Sequence, residues 1–253
     1  MTQAEKAAQF SALHVRGEPL VLYNIWDAGS AKAVAGSGAK AVATGSWSMA
    51  AAQGYPDGEV IPLDTVELIV RQIARSVDVP VTVDLEGAYA VEPEQAAANV
   101  ARIVQAGAIG INFEDGIIGG DGLHAIALQC RRIQAIRAGA EALGVALFIN
   151  ARTDLFLQAA DAASHVTLLD AATERAQAFA DAGASGYFAP GLADEDLIGA
   201  LCAASSQPVN IMMKAGAPSI SRLAALGVSR ISYGPMPYVQ SMQRLGQEAS
   251  TAV

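Results

Sequence analysis

The stretch QAGAIGINFEDG, residues 105–116, contains a helix end, a glycine and a largely apolar run in immediate succession. Gly107 stands where a left-handed residue commonly terminates a helix. The run that follows stays mostly apolar up to Glu114, which is typical of a strand buried on both faces. The stretch therefore predicts a junction between a helix and a strand of a parallel sheet.

The same junction recurs along the chain, in GSGAKAVATGS (36–46), DAGASGYFAPG (181–191) and ALGVSRISYGP (225–235). Segments such as LDTVELIVRQIARSV lie between the junctions and carry apolar residues at i, i+3, i+4 and i+7, which predicts amphipathic helices. The pattern predicts strands near residues 20–25, 41–45, 80–86, 109–114, 146–151, 186–189, 208–213 and 229–233.

Eight strands that alternate with helices in 253 residues favour an α/β fold, a single (β/α)8 TIM barrel. A doubly wound sheet usually has fewer strands and a phosphate-binding glycine turn after the first one. The first turn here, NIWDAGSAKAV, has no G-x-G-x-x-G pattern. We therefore predict one barrel domain over residues 1–253 that includes a short C-terminal helix.

Composition and charge exclude several functional classes. The chain is 52% hydrophobic with a net charge of −9, so it can bury a large core but would be repelled by nucleic acid or an anionic membrane. An anionic substrate would need a local positive site or a metal. The N-terminal residues MTQAEKAAQFSALHVRGE lack the apolar segment of a secretory signal, which indicates the cytoplasm.

Carboxylates stand at the ends of neighbouring predicted strands. Asp84 and Glu86 end the third strand, Glu114 ends the fourth, and Arg152 ends the fifth. Positions i and i+2 of a strand face the same side, so Asp84 and Glu86 are expected to share one face. Oxygen ligands with few histidines nearby suit Mg²⁺ or Mn²⁺. Alternatively, the two acids cap backbone amides or pair with Arg152.

Two further motifs are candidates for binding an anion. The planar fork of Arg152 can hold a carboxylate or phosphonate, although the arginine can equally be a structural partner of Asp154 or Glu114. The turn Thr44–Ser48 (TGSWS) can present backbone N–H groups to an oxyanion. Asp57, in the segment GYPDGE, fits a solvated turn when it is considered alone.

The order of these motifs resembles the isocitrate lyase and phosphoenolpyruvate mutase superfamily. The resemblance covers most of the chain, through TGSWSMAAAQGYPDG, VTVDLEGAYA, INFEDG, INARTD and PVN…GAPS…LGVSRISYG. It implies a Mg²⁺-binding barrel that forms homo-oligomers, either dimers or tetramers. It also implies small anionic 2-oxo acids or their adducts as substrates, with a C–C or P–C bond made or broken beside an enolpyruvate-like intermediate.

The resemblance also assigns roles to individual residues. Asp84 resembles the acid that contacts the metal, and Glu86 and Glu114 resemble acids that hold it mainly through water; the cation would relieve their repulsion. The substrate-binding positions implied are Thr44, Gly45, Ser46, Trp47, Arg152 and Asn210, of which Asn210 is a loose match. The resemblance gives Asp57 and Arg152 as catalytic candidates, and His124 is a further candidate from its place beside the segment after the fourth strand.

The segment after the fourth strand departs from the superfamily pattern. Isocitrate and methylisocitrate lyases resemble each other in a lid with a K-[KR]-C-G-H run, whereas this chain has GIIGGDGLHAIALQC. The glycines predict a flexible lid. His124 is the titratable imidazole nearest to it, although it can also simply begin the next helix.

We therefore expect a Mg²⁺-dependent enzyme that acts on a small 2-oxo acid or its adduct as a C–C lyase or decarboxylase. A phosphoenolpyruvate mutase-like P–C isomerase or hydrolase is the first alternative. A Schiff-base aldolase that uses Lys214, at the end of the seventh strand, is another. The last alternative is a non-catalytic 2-oxo acid binding protein.

Overall fold

The computed structural model describes residues 1–252 and contains eight parallel strands in one sheet, in the order β1-β8-β7-β6-β5-β4-β3-β2. The strands are β1 Leu20–Leu22, β2 Val42–Ala43, β3 Val81–Asp84, β4 Gly110–Glu114, β5 Phe148–Arg152, β6 Gly186–Phe188, β7 Val209–Met212 and β8 Arg230–Ser232. Just beyond β1 and β2, Ile25 pairs with Thr44 in parallel and brings the two edges together. The predicted TIM barrel is confirmed.

Helices lie between the strands, as the sequence pattern predicts. They are α1 Gln3–Ala12, α2 Ala28–Gly36, α3 Ser46–Ala52, α4 Leu63–Ser76, α5 Pro93–Gln105, α6 Ile126–Ala142, α7 His165–Asp181, α8 Glu195–Ala204, α9 Ile220–Ala225 and α10 Met236–Ala252, with a 3₁₀ turn at Ala162–Ser164. None of the helices within residues 1–252 is long and apolar enough to cross a membrane.

Helix α4 shows how the pattern produces the outer layer. Its buried residues are Val66, Ile69, Val70 and Ile73, which follow the i, i+3, i+4, i+7 spacing of one helix face. Gly107 follows α5 with φ of +115°, and a Cβ at this position would lie 2.7 Å from the side chain of Ala74. A glycine is therefore required where α4 approaches the end of α5.

Helix α1 closes the bottom of the barrel. Phe10, which is fully buried on α1, packs edge-on against Phe148 with ring centroids 5.3 Å apart. A Cβ at Gly110 would lie 3.3 Å from the Phe10 ring, and one at Gly186 would lie 3.0 Å from the Phe148 ring. Two inward-facing glycines thus leave room for the aromatic rings that fill the floor.

Six of the eight strands end earlier than predicted at the upper rim, and β4 and β5 do not. Strand β3 ends at Asp84 rather than at residue 86, and Glu86 has a left-handed φ of +52°. The strict alternation of strand side chains therefore does not extend to Glu86. Ala88 and Tyr89 are also left-handed, with φ of +59° and +57°. Such conformations cost free energy in non-glycine residues and concentrate at functional sites.

Candidate active site

Two adjoining cavities open at the carboxyl ends of the strands, and Ser46, Asp57 and Arg152 line both. The central cavity, of about 180 Å³, lies over the barrel axis. The acid cavity, of about 230 Å³, lies towards the loop that follows β4. The acid cavity also contains Glu86 and Glu114. Active sites of TIM barrels occupy this end of the fold.

Asp84 lines the central cavity and is held from two sides. Its Oδ2 accepts hydrogen bonds from the backbone N–H of Ser46 at 3.1 Å and from the Ser46 hydroxyl at 2.9 Å. Its Oδ1 accepts from Nδ2 of Asn112 at 3.1 Å. These bonds fix the carboxylate at the end of β3, where it lines the central cavity and is available to a ligand.

Glu86 faces the acid cavity rather than standing beside Asp84 on one strand face. Its two oxygens accept from the backbone N–H groups of Gly58 and Glu59, at 3.0 and 3.1 Å. Glu86 is only 6% exposed. Burial, followed by the charges of Asp57 and Asp84, raises the pKa of Glu86 to about 8. The predicted sharing of one strand face is therefore wrong, although the two acids still repel each other.

Asp57 lies at the mouth of both cavities and joins the same cluster of charges. Partial desolvation of its carboxyl and the charge of Asp84 raise the pKa of Asp57. Its segment is therefore more than a solvated turn, because the adjacent N–H groups of Gly58 and Glu59 anchor Glu86 beneath it.

Glu114 and Arg152 form a buried ion pair at the ends of β4 and β5. Nη1 of Arg152 lies 2.7 Å from Oε2 of Glu114. Burial raises the pKa of Glu114 well above its ordinary range, an effect that Arg152 only partly offsets. Arg152 also donates to Asp154 through Nε at 2.6 Å and Nη2 at 3.1 Å. The arginine is thus both a structural partner of two acids and a cation that lines the cavities.

A second set of contacts holds Asp154 in position. Asp115, which is fully buried, accepts from the backbone N–H of Asp154 at 3.0 Å. Its other oxygen pairs with Nη1 of Arg175 at 3.0 Å. Arg175, from α7, thereby supports Asp154 and, through it, the orientation of Arg152.

The turn after β2 holds Asp84 in place and does not form a free anion-binding loop. The Thr44 hydroxyl accepts from the backbone N–H of Asp84 at 2.9 Å, so this fully buried side chain braces the end of β3 from the end of the neighbouring strand β2. Gly45, Ser46 and Trp47 line the central cavity, whereas Thr44 does not. The N–H of Ser46 is engaged with Asp84 in the absence of a ligand.

Three residues singled out by the sequence lie away from both cavities. His124 lines a separate cavity beside Arg132, and burial, with a smaller effect of the Arg132 charge, lowers its pKa. Asn210 is fully buried on β7, and Met212, two residues further on, reaches the central cavity instead. Lys214 donates to the carbonyl of Gly191 at 2.8 Å and lines neither cavity.

Other cavity residues were not expected from the sequence. They are Asn24, Asn112, Leu157, Phe188, Pro190, Met212, Ser232, Gly234 and Pro235. The period-two spacing of Asn112 and Glu114 on β4 was a usable signal, because a polar residue two positions before a site residue faces the same side. The apolar members carried no such signal, since they cannot be distinguished in sequence from core residues.

A polar network continues from Asp84 into the barrel interior. Asn112 Oδ1 accepts from Nδ2 of Asn150 at 2.9 Å and from Nη2 of Arg230 at 3.0 Å. These two donors orient the Asn112 amide, so that its Nδ2 points to Asp84. The position of Asp84 on β3 therefore depends on residues of β4, β5 and β8.

The chain is an eight-stranded parallel barrel with clustered acids and one arginine at the carboxyl ends of its strands. This combination is typical of TIM-barrel proteins with a polar site suited to a small anionic ligand. The family model described as phosphoenolpyruvate phosphomutase matches residues 10–253. The chain belongs to this family, within the isocitrate lyase and phosphoenolpyruvate mutase superfamily.

Individual relatives agree with this assignment. The chain is similar to the uncharacterized protein Rv1998c of Mycobacterium tuberculosis H37Rv, with 34% identity over 90% of this chain and 83% of that protein. It is 32% identical to an oxaloacetate decarboxylase of Bradyrhizobium sp. BTAi1, over 74% of this chain and 62% of that protein. A Burkholderia cenocepacia J2315 structure, described provisionally as a phosphonomutase, superposes with a TM-score of 0.96 at 47% identity, with both chains covered completely.

Proposed function

We propose that the protein is a Mg²⁺-dependent enzyme that acts on a small anionic 2-oxo acid or its adduct as a C–C lyase or decarboxylase. The observation that carries the proposal is the cluster of Asp57, Asp84, Glu86 and Glu114 around two adjoining cavities, with Arg152 as the cation that lines them. Relatives named as a 2-methylisocitrate lyase and an oxaloacetate decarboxylase support C–C bond chemistry.

The donor set of the site fits Mg²⁺ held largely through water. Within residues 1–252, no three His, Cys, Asp or Glu side chains lie in a common metal-binding arrangement. Mg²⁺ does not require one, because it usually binds one or two carboxylates and keeps several waters. Asp84 would provide the direct contact, while Glu86 and Glu114 would act through water. Burial, together with repulsion from neighbouring acids, raises the pKa of both glutamates, so a cation bound nearby would favour their charged forms.

Bound Mg²⁺ would stabilise negative charge on a 2-oxo acid as a bond to its C3 breaks. The protein's own groups would orient the substrate and handle the proton. Arg152, fixed by Glu114 and Asp154, would attract the substrate's anionic group. Asp57 would hold or release a proton at its carboxyl, since it lies at the mouth of both cavities and its pKa is raised.

Phosphonomutase-type P–C chemistry is the second candidate, favoured by the similarity to the Burkholderia cenocepacia structure. The Schiff-base alternative finds less support, because Lys214 is hydrogen bonded to Gly191 outside both cavities. A non-catalytic binding protein would keep the metal and Arg152 while lacking substrate turnover.

Calorimetric titration of Mg²⁺ and oxalate tests the proposal. Oxalate, a mimic of pyruvate enolate, should bind with Mg²⁺ present and lose affinity in EDTA. We expect Asp84→Asn to abolish Mg²⁺ binding and Glu86→Gln to weaken it about 10- to 100-fold, as is typical when a group behind the metal's direct ligands is lost. Glu94→Gln, an exposed position on α5, is the matched control. Unchanged Mg²⁺ affinity in both site variants would disprove the metal assignment.

A further inference from the structure

The segment that follows β3 carries backbone strain beside the acid cavity. We call residues 86–90 the Glu86 turn. Within it, Glu86, Ala88 and Tyr89 have left-handed φ of +52°, +59° and +57°. Such conformations cost free energy in residues other than glycine and persist only where the surroundings hold them. The contacts of the Glu86 turn therefore show what keeps Glu86 in place.

Arg132, on α6, bonds the Glu86 turn from the helix layer. The residue is 1% exposed, and its Nη2 donates to the carbonyls of Gly87 at 2.6 Å and Ala90 at 2.7 Å. Its guanidinium carbon lies 4.6 Å from the centre of the Phe113 ring on β4. One planar cation thus ties two carbonyls of the turn to a helix while it rests on an aromatic face.

The same guanidinium also reaches the backbone of Glu114. Its Nη1 donates to Oε1 of Gln129 at 2.6 Å, and Nε2 of Gln129 donates to the Glu114 carbonyl at 2.9 Å. The N–H of Glu114 donates in turn to the carbonyl of Glu86 at 2.9 Å. These bonds form a closed network, which holds the backbones of the two glutamates at one separation.

Glu59, in the loop between α3 and α4, is the second anchor of the Glu86 turn. Its N–H donates to Oε2 of Glu86 at 3.1 Å, and its Oε1 accepts from the N–H of Tyr89 at 2.7 Å. A Cβ at Gly87 would lie 3.2 Å from Oε1 of Glu59 and 3.7 Å from Nη2 of Arg132. The missing side chain of Gly87 therefore leaves room for both anchors to approach the turn.

Arg132 lines neither the central cavity nor the acid cavity. It lines the separate cavity that contains Glu59 and His124. Burial lowers the pKa of Arg132 to about 10, against the opposing charges of neighbouring acids, so the guanidinium remains charged at neutral pH. A buried cation outside both cavities affects the candidate site through the backbone that it holds.

We propose that Arg132 is a positioning residue that keeps the Glu86 turn rigid and thereby favours Mg²⁺ over the larger Ca²⁺ at the carboxylate cluster. This inference rests on the proposed function and adds the residue that sets its metal selectivity. Mg²⁺ requires near-ideal octahedral geometry, whereas Ca²⁺ accepts flexible arrangements of oxygen ligands. Glutamates that hold the waters of Mg²⁺ must therefore stay in fixed positions.

Calorimetric titration of the metal-free protein with Mg²⁺ alone and with Ca²⁺ alone tests the inference. Arg132→Met removes the bonds to Gly87 and Ala90 and keeps an apolar side chain on Phe113. It should lower Mg²⁺ affinity by about tenfold and leave Ca²⁺ affinity within about twofold. Arg131→Met, at the adjacent exposed position on α6, is the matched control and should change neither affinity.

Gly87→Ala provides a second variant in case Arg132→Met does not fold. Its added Cβ crowds Glu59 from within the turn, so it should lower the ratio of Mg²⁺ to Ca²⁺ affinity in the same direction. If the wild type bound Mg²⁺ and the folded variants kept its ratio of affinities, the inference alone would be overturned. If the wild type bound no Mg²⁺, the proposed function would fail, and the selectivity inference with it.

Hydrogen exchange of the metal-free protein gives a readout that does not depend on a bound metal. The N–H groups of Glu59 and Tyr89 should exchange at least about tenfold faster in Arg132→Met than in the wild type, because the turn that they bond is loosened. The N–H groups of Val70 and Ile73, buried on α4, should keep their wild-type rates. Wild-type exchange at Glu59 and Tyr89 in this variant would show that Arg132 does not hold the turn.

Discussion

Arg230 illustrates at the scale of one residue how the interior of this barrel differs from an apolar core. It is 1% exposed on β8, and it donates to Asn112 through Nη2. Its Nε and Nη1 have no hydrogen-bond partner within residues 1–252. Burial lowers the pKa of Arg230 to about 9, against the opposing effect of Asp84, so the guanidinium remains charged at neutral pH. A buried charge with incomplete partners costs free energy.

We therefore expect Arg230→Met to raise the free energy of unfolding by about 1–4 kcal/mol at pH 7, because an apolar side chain of similar length removes the desolvation cost. Urea denaturation measures the change. Arg137→Met is the matched control, since Arg137 donates to Gly183, Leu147 and Ser185, and its loss should lower stability. A larger destabilisation in Arg230→Met than in Arg137→Met would show that Arg230 is well compensated.

At the scale of one element, α1 and the residues that follow it form the barrel floor. His14, just beyond α1, stacks on Phe148 with ring centroids 4.0 Å apart. Its Nδ1 bonds the carbonyl of Phe10 at 2.8 Å, while Nε2 has no partner within residues 1–252. Burial, and then the charge of Arg230, lowers the pKa of His14 to about 3. The floor is therefore built for a neutral imidazole.

The lowered pKa of His14 makes the stability of the barrel floor sensitive to acid. As the pH falls from 6.5 towards 3, the unfolded chain binds a proton at His14 and the folded protein does not. The stability that the fold has above pH 6.5 is therefore lost over this range. We expect His14→Phe, which keeps the stacked ring, to remove up to about 1.4 kcal/mol per pH unit of this slope. Denaturant melts between pH 7 and 4 measure it. Parallel curves for wild type and variant would contradict a neutral buried His14.

At the scale of the whole molecule, α10 extends away from the barrel. Tyr238 packs edge-on against Trp26 and Trp47, but residues 240–252 are all exposed. Met242, Leu245 and Ala249 form one stripe along this part at helical spacing. Helices in proteins gain most of their stability from packing an apolar face, so the stripe is suited to contact with a second copy of the chain.

We accordingly expect the protein to form homo-oligomers, dimers or tetramers, through α10. Light scattering after size exclusion should give two or four times the chain mass of 25.9 kDa. Met242→Glu combined with Leu245→Glu should shift the mass towards that of one chain. Gln240→Glu combined with Gln247→Glu adds the same charge to the opposite face and should leave the mass unchanged. A wild-type mass of one chain would disprove the expectation.

The sequence alone determined the barrel and the general location of its polar site. The recurring helix, glycine and apolar strand report local preferences, and eight such units have few ways to bury their strands. Because carboxyl ends of parallel strands meet at one rim, Asp84, Glu114 and Arg152 could be placed together without coordinates. The sequence also predicted that Asp57, Ser46 and Trp47 lie at the site, because their motifs resemble those of the superfamily, and all three line the central cavity.

Only the tertiary structure decided which groups face the same space. Glu86 turns into the acid cavity because its backbone is left-handed, and Met212 rather than Asn210 reaches the central cavity because it stands one layer higher on β7. His124 lies in another cavity, beside Arg132. Leu157, Phe188, Met212 and Pro235 come together at the central cavity from separate parts of the chain. Such contacts arise from the closure of the sheet, and the local periodicity that reveals a strand carries no information about its partners across the barrel.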